Sequence, residues 1–220
     1  MTPKYTLYYY KSRGSADPIR LIFYHVGQEF EDFYLTHEQW SKFKIDAPFG
    51  KLPVLDVNGT LIGGAVAILR YLGTIFDLIP LSCLANAKID GLIDTMEEIA
   101  SKEPRPNWNN KYELAKDLKA LALKLPEKFR YPIMMLEETT SGFLIGDRVT
   151  WADFYLLNVW IQTKALLNTD FDSIFSIRMH FEKMMTLPAV RLYYEETSKE
   201  IPLCPLFADS SDEDEIDEFD

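Results

Sequence analysis

Three stretches carry residues whose types and spacing could do chemistry. Residues 59–72, GTLIGGAVAILRYL, change from a strand pattern to a helix pattern at Gly63-Gly64-Ala65. Apolar residues recur at helical spacing through Val66, Ile68, Leu69 and Leu72. No hydroxyl, carboxylate or carboxamide side chain stands at the turn to cap the free amides. Such a helix start offers backbone N–H groups and a partial positive charge to a carboxylate, and glycine lets a ligand come close. Leu52-Pro53 stands where another strand begins, and a cis bond there would turn a backbone N–H and C=O toward an extended, peptide-like ligand. Trp40 and Lys44, four apart on a short predicted helix, share one face. By contrast, His25, His37, His180, Cys83 and Cys204 have no metal-ligand spacing, and no metal centre is expected.

The elements that must hold these residues follow from periodicity and punctuation. YTLYYY reads as a first strand. Ser15 is placed to cap a helix whose first turn holds Asp17 and Pro18 and whose stop is Gly27. EFEDFYL is a second strand, and Thr36-x-x-Gln39 has the form of a capping box for the short helix through Trp40 and Phe43. LPVLDV, Asn58-Gly59 and TLI make a hairpin, and a helix runs from about Gly64 to Phe76. The order βαβ, helix, ββα predicts a mixed sheet between helices over residues 1–79. From Ala85 long helical patterns take over, which predicts an all-α domain over 80–208, with Pro126 and Pro132 marking breaks or kinks. Thr150-x-x-Asp153, flanked by Val149 and Phe154, is a second capping box with a hydrophobic staple, so Asp153 is read as a folding element. Met134, Met135, Met184 and Met185 are read as core.

A chain of 220 residues, 47% hydrophobic, can bury a full core. Its net charge of −11 argues against nucleic acid as a partner. No segment has the length and apolarity to span a bilayer or the form of a secretory signal, so a cytoplasmic protein without membrane attachment is expected. Much of the charge is local: residues 209–220 hold eight acidic groups, and the rest of the chain carries only −3. The segment is expected to be a disordered acidic tail. Ser210 and Ser211 precede the acidic run, a context that suits an acidophilic kinase as well as a merely solubilising tail.

PKYTLYYYKSRGSADPIRL, HEQWSKFKIDAPFGKLPVLDVNGT, AILRYL and GFLIGDRVTWADFY together resemble the sigma-like glutathione transferases, a group that includes glutathione-dependent prostaglandin D synthase and the non-enzymatic lens crystallins. The resemblance runs to about Phe207. It implies a thioredoxin-like α/β N-terminal domain joined to an all-α C-terminal domain, a homodimer, and glutathione as co-substrate. It assigns Tyr9 as the residue that donates a hydrogen bond to the glutathione sulfur and favours its thiolate. Only the anion of a thiol with a pKa near 8.5 is a good nucleophile, and lowering that value by two units takes about 2.7 kcal/mol. A charge-assisted hydrogen bond of about 1.5–3 kcal/mol with local dipoles supplies it. Tyr8 and Tyr10 would face the other side of the strand.

The resemblance also implies that Trp40, Lys44 and Lys51 meet the glycine end of glutathione, and that Leu52, before Pro53, offers backbone hydrogen bonds to its cysteinyl part. Glu98 would reach the γ-glutamyl amine from the partner subunit, and Trp108 and Tyr112 would line the pocket for a small hydrophobic electrophile. Two departures stand out. Gly64-Ala65 occupy the place of a Gln-Ser pair that grips the γ-glutamyl end, and Ser15 stands where the prostaglandin synthases often carry an arginine. Two readings result. One is a glutathione transferase that conjugates, isomerises or reduces small electrophiles in detoxification; the other is a non-catalytic relative acting as a ligand carrier, structural or interaction protein. The first is favoured, with weak glutathione affinity.

Overall fold

The computed structural model describes residues 3–102, 111–167 and 174–197. Its elements in chain order are β1 (Tyr5–Tyr10), α1 (Asp17–Val26), β2 (Glu31–Leu35), α2 (His37–Phe43), β3 (Val54–Val57), β4 (Thr60–Gly63), α3 (Ala65–Ile75), α4 (Cys83–Lys102), α5 (Lys111–Lys128), α6 (Arg130–Glu137), α7 (Trp151–Leu167), α8 (Phe175–Met185) and α9 (Pro188–Thr197). The acidic segment 209–220, with Ser210 and Ser211, lies outside the described residues, as does Cys204. The chain forms two compact units. One holds Met1–Leu78 and the segment from Leu187 that carries α9, and the other holds Ile79–Thr186.

The first unit is a thioredoxin-like α/β domain whose four-stranded sheet has the order β2-β1-β3-β4. β1 runs parallel to β2 and antiparallel to β3, which the hairpin joins to β4. The hairpin turn places Asn58 at φ 52° and Gly59 at φ 89°, the two left-handed positions that an Asn-Gly loop supplies without strain. Alternation along β1 sorts its side chains. Tyr5 packs on Phe23 of α1 and on Phe76 at the end of α3, while Tyr8 packs on Phe33 and Phe43 and Tyr10 on His37, toward α2. Leu7, Ile19, Ile22, Phe23, Val54, Leu55, Ile68, Leu69 and Leu72 are fully buried and form the core of this unit. Both halves of the Thr36–Gln39 capping box are present. α9, which the sequence groups with the helical half, packs against α1.

The cap of α1 differs from the expectation. Ala16, not Ser15, is its N-cap residue, with no side-chain cap bond, because the Ser15 hydroxyl is engaged elsewhere.

The second unit is all helical among the described residues. The first ten residues of α7 are buried on every side, which marks it as the central helix. Asp153 is its anchor: its carboxylate accepts from the Leu144 N–H at 2.8 Å, the Thr150 N–H at 2.7 Å and the Thr150 hydroxyl at 2.8 Å, and lies 3.1 Å from His180 Nε2. The break between α5 and α6 falls at Phe129, between the two prolines. Pro132 sits in the first turn of α6, where a missing N–H removes no intrahelical bond. Met184 is core as expected, but Met134 is 47% exposed, because it points away from the buried Pro132 and Leu136 on α6.

Candidate functional site

Most residues singled out by the sequence come together around one margin of the first unit. Tyr9 lies on β1 and pairs across to Tyr34 of β2. On the other side, the pairing of β1 with β3 ends at Tyr8 and Val54, and Tyr9 and Pro53 are the next residues along. Tyr9 is 7% exposed. Its phenol oxygen accepts a hydrogen bond from the Ser15 hydroxyl at 3.3 Å, and the Arg20 guanidinium carbon stands 5.7 Å from its ring centroid.

A buried ionic network fixes the turn that carries Ser15. Asp17 accepts from Arg13 at 3.0 Å, from Arg20 at 3.1 Å and from the Tyr193 hydroxyl of α9 at 2.8 Å. Arg20 also makes a two-pronged contact with Asp32, at 2.8 and 3.3 Å, and donates to the Ser12 carbonyl at 3.0 Å. Burial works against its charge, but Asp32, Tyr193 and Asp17 outweigh burial and hold the guanidinium above its ordinary range. Burial, reinforced by Asp17, pushes the Tyr193 hydroxyl well up, which keeps it a donor. Asp17 and Arg20 are each 1% exposed or less. The sequence placed Asp17 only as a first-turn residue. The sign of its larger role was an Arg-x-x-x-Asp-x-x-Arg run, spaced to put all three on one face of a helix and the turn before it.

The rest of the margin runs from α2 to the start of α3. Trp40 is buried, and the Lys44 ammonium stands 6.0 Å from its ring centroid. The chain then turns at Pro48–Gly50, where Phe49 has φ 61°. A side chain at Gly50 would touch Lys44 at 3.8 Å, so the turn folds back beside α2. Lys51 is exposed in an extended backbone. The Leu52–Pro53 bond is cis, both residues are buried, and the Pro53 carbonyl accepts the Gly64 N–H at 3.2 Å. That bond joins the Pro53 turn to the entry of α3.

The entry of α3 is bare, as its sequence reads. Gly64 is the N-cap residue with no side-chain cap bond, and Ala65 opens the helix. The two glycines differ. A Cβ on Gly63 would lie 2.8 Å from both the Pro48 Cβ and the Pro48 carbonyl, so close approach of two backbones excludes any side chain there. A Cβ on Gly64 would meet nothing within 4 Å, but the residue has φ 89° and ψ 122°. Space is available at Gly64, and conformation is the constraint.

Three further candidates belong to the second unit. Tyr112 is 78% exposed on α5, Glu98 belongs to α4 by its backbone, and the Glu98 side chain and all of Trp108 lie outside the described residues. Among the described residues no group of His, Cys, Asp or Glu could hold a metal ion, and no helix is long and apolar enough to cross a membrane.

Comparison with known proteins agrees with this fold. Residues 5–74 match the family model "Glutathione S-transferase, N-terminal domain" and residues 93–197 match "Glutathione S-transferase, C-terminal domain". The chain is similar to a probable glutathione S-transferase 9 of Caenorhabditis elegans, 31% identical over 203 residues that cover 87% of this chain and 96% of the relative. It is also similar to the hematopoietic prostaglandin D synthase of Mus musculus, 35% identical over 157 residues that cover 70% of this chain and 76% of the relative. Among solved structures it resembles the monomeric glutathione S-transferase of the hookworm Necator americanus, with a TM-score of 0.80 and 32% identity over 88% of this chain and 97% of that one.

Proposed function

Because the chain belongs to the glutathione S-transferase family, we propose that it binds glutathione along the margin from Trp40 to Ala65 and uses Tyr9 to favour the thiolate, which attacks small hydrophobic electrophiles. The observation that carries this reading is the setting of Tyr9. Its phenol is buried at the end of β1, level with the cis Leu52–Pro53 turn, with its oxygen already accepting from Ser15.

The tyrosine keeps its own proton and donates a hydrogen bond to the sulfur; the proton released by the thiol goes to solvent. That donation offsets part of the cost of forming the anion at neutral pH. Leu52 presents backbone groups to the cysteinyl part of the tripeptide. Lys44 and Lys51 neutralise its glycine carboxylate, with Trp40 as the wall behind them. At the other end the uncapped amides at the start of α3 receive the γ-glutamyl carboxylate. A homodimer in which Glu98 reaches the γ-glutamyl amine, and an electrophile pocket with Trp108 and Tyr112, complete the reading. Sedimentation of the wild-type chain tests the dimer.

A second reading rests on one observation: no side chain caps the α3 entry, so only backbone amides there meet the γ-glutamyl carboxylate. In that reading the protein keeps the scaffold as a carrier or interaction protein. Calorimetric glutathione binding, with conjugation of a generic aromatic halide by wild type and Tyr9→Phe, separates the two. Activity that Tyr9→Phe abolishes supports the enzyme. Absence of both binding and conjugation in the wild type refutes it.

A further inference from the structure

We propose that Ser15 is a positioning residue for Tyr9: by donating its hydroxyl hydrogen to the Tyr9 oxygen, it fixes where the Tyr9 hydrogen points and strengthens the bond that Tyr9 donates to the bound sulfur. This rests on the assignment of Tyr9 made above. A phenol has one hydrogen to give and lone pairs to receive. When the oxygen accepts a hydrogen bond, its own O–H becomes more polar and donates more strongly, and rotation about the C–O bond is restricted.

Three features of the fold single out Ser15. First, a serine just before a helix ordinarily turns its oxygen to the free amides of the first turn, yet α1 has no side-chain cap bond and the Ser15 hydroxyl is directed to Tyr9 at 3.3 Å. Second, the turn carrying Ser15 is held on both sides. The Asp17 N–H bonds to the Gly14 carbonyl at 3.0 Å, and Arg13 and Arg20 converge on the Asp17 carboxylate. Third, Tyr9 is itself held, by strand pairing on β2 and by burial. The Arg20 guanidinium beside its ring is itself held by Asp17 and Asp32. Direction of the phenol hydrogen is the degree of freedom that Ser15 sets.

The test is a titration of glutathione bound to the full-length protein, following thiolate absorbance in the ultraviolet against pH. Wild type, Ser15→Ala, Ser15→Thr, Tyr9→Phe and Tyr9→Phe/Ser15→Ala are compared. Ser15→Ala should lower the acid dissociation constant of the bound thiol by about 1.3- to fivefold, as expected when an accepted hydrogen bond strengthens the charge-assisted bond donated to sulfur by roughly 10–30%. Ser15→Thr, which keeps a hydroxyl, should restore the wild-type titration. In the Tyr9→Phe background Ser15→Ala should have no further effect. A residue that only supported the fold would change melting temperature or glutathione KM without moving the titration. If Tyr9→Phe shifts the titration and Ser15→Ala does not, or if Ser15→Ala acts equally in both backgrounds, the positioning role is overturned while Tyr9 stands. If the wild type shows no bound thiolate, or Tyr9→Phe titrates as wild type, the Tyr9 assignment fails and this role with it.

Discussion

Restoring a side chain at Gly64 should weaken the fold and strengthen glutathione binding at the same time, and the two effects can be read separately. Gly64 has φ 89° and ψ 122°, a conformation costing an L-residue on the order of 1–3 kcal/mol. Replacing glycine also removes freedom from the unfolded chain, which returns about 0.4–1 kcal/mol. Gly64→Ala tests the backbone alone, because a Cβ there meets nothing within 4 Å. The net loss of about 1–2 kcal/mol should lower the melting temperature by roughly 2–8 °C at this chain length. Gly64→Gln/Ala65→Ser carries the same penalty but adds two polar contacts to the γ-glutamyl end, each about 1.5–3 kcal/mol with a charged partner. Ordering a glutamine opposes this by up to about 2 kcal/mol. Strain is present in free and bound protein alike, so it drops out of the binding constant. Calorimetry should therefore find glutathione bound tens to hundreds of times more tightly by the double variant, at about 1.4 kcal/mol per factor of ten. A Gly64→Ala protein that melts with the wild type would refute the strain argument. A folded double variant that binds no more tightly would refute the placement of the γ-glutamyl group.

Three more perturbations have defined outcomes. Gly63→Ala pushes a methyl to 2.8 Å from two rigid Pro48 atoms. It should reduce stability in denaturant by about 1–3 kcal/mol and raise glutathione KM as the Pro48–Pro53 turn shifts. Asp153→Ala deprives the Leu144 and Thr150 N–H groups and His180 of their common acceptor; a loss on the order of 3 kcal/mol in chemical denaturation is expected, with little change in glutathione affinity if the second unit refolds. His25 is held below its ordinary value of 6.5 by burial. The unfolded chain therefore binds the proton first as pH falls through that value, and folding stability drops. His25→Gln should remove that part of the decline between neutral pH and the acid side of the imidazole range, measured as the difference in melting temperature between variant and wild type.

The elements were legible where local chemistry decides them. Thr36 and Gln39 form the expected capping box, Gly27 and Asn58-Gly59 stop and turn the chain as their types require, and the alternation of YTLYYY puts Tyr9 on the face opposite Tyr8 and Tyr10. Ser15 was misplaced because a capping preference is local, whereas its partner Tyr9 is brought to it by the sheet. Met134 was misplaced for a related reason: helical spacing marks an apolar stripe, but only packing against neighbouring helices decides which part of it is covered. α9 was grouped by helical pattern with its neighbours in sequence, while Tyr193 binds it to Asp17, 176 residues away. Arg13, Asp17 and Arg20 are close in sequence and their spacing was readable, but Asp32 reaches Arg20 only because β2 pairs beside β1, and periodicity alone does not show that.

In the proposed function the altered corner meets the γ-glutamyl end of glutathione and the tyrosine meets its central cysteinyl sulfur, and this separation dictates the kinetic signature. Contacts to the γ-glutamyl group are distant from the sulfur, and their loss weakens the ground state and the transition state by similar amounts. Such a loss raises KM and leaves kcat largely unchanged, whereas removal of the Tyr9 hydrogen bond, made to charge developing on sulfur, lowers kcat. Wild type should accordingly show a high glutathione KM with substantial turnover at saturation. Gly64→Gln/Ala65→Ser should lower KM with kcat held, and Tyr9→Phe should lower kcat in either background. Turnover that stays negligible at saturating glutathione in the wild type and in the double variant would mean that the thiolate is not formed at Tyr9. The bare entry of α3 would then mark a site that had lost its chemistry as well as its grip.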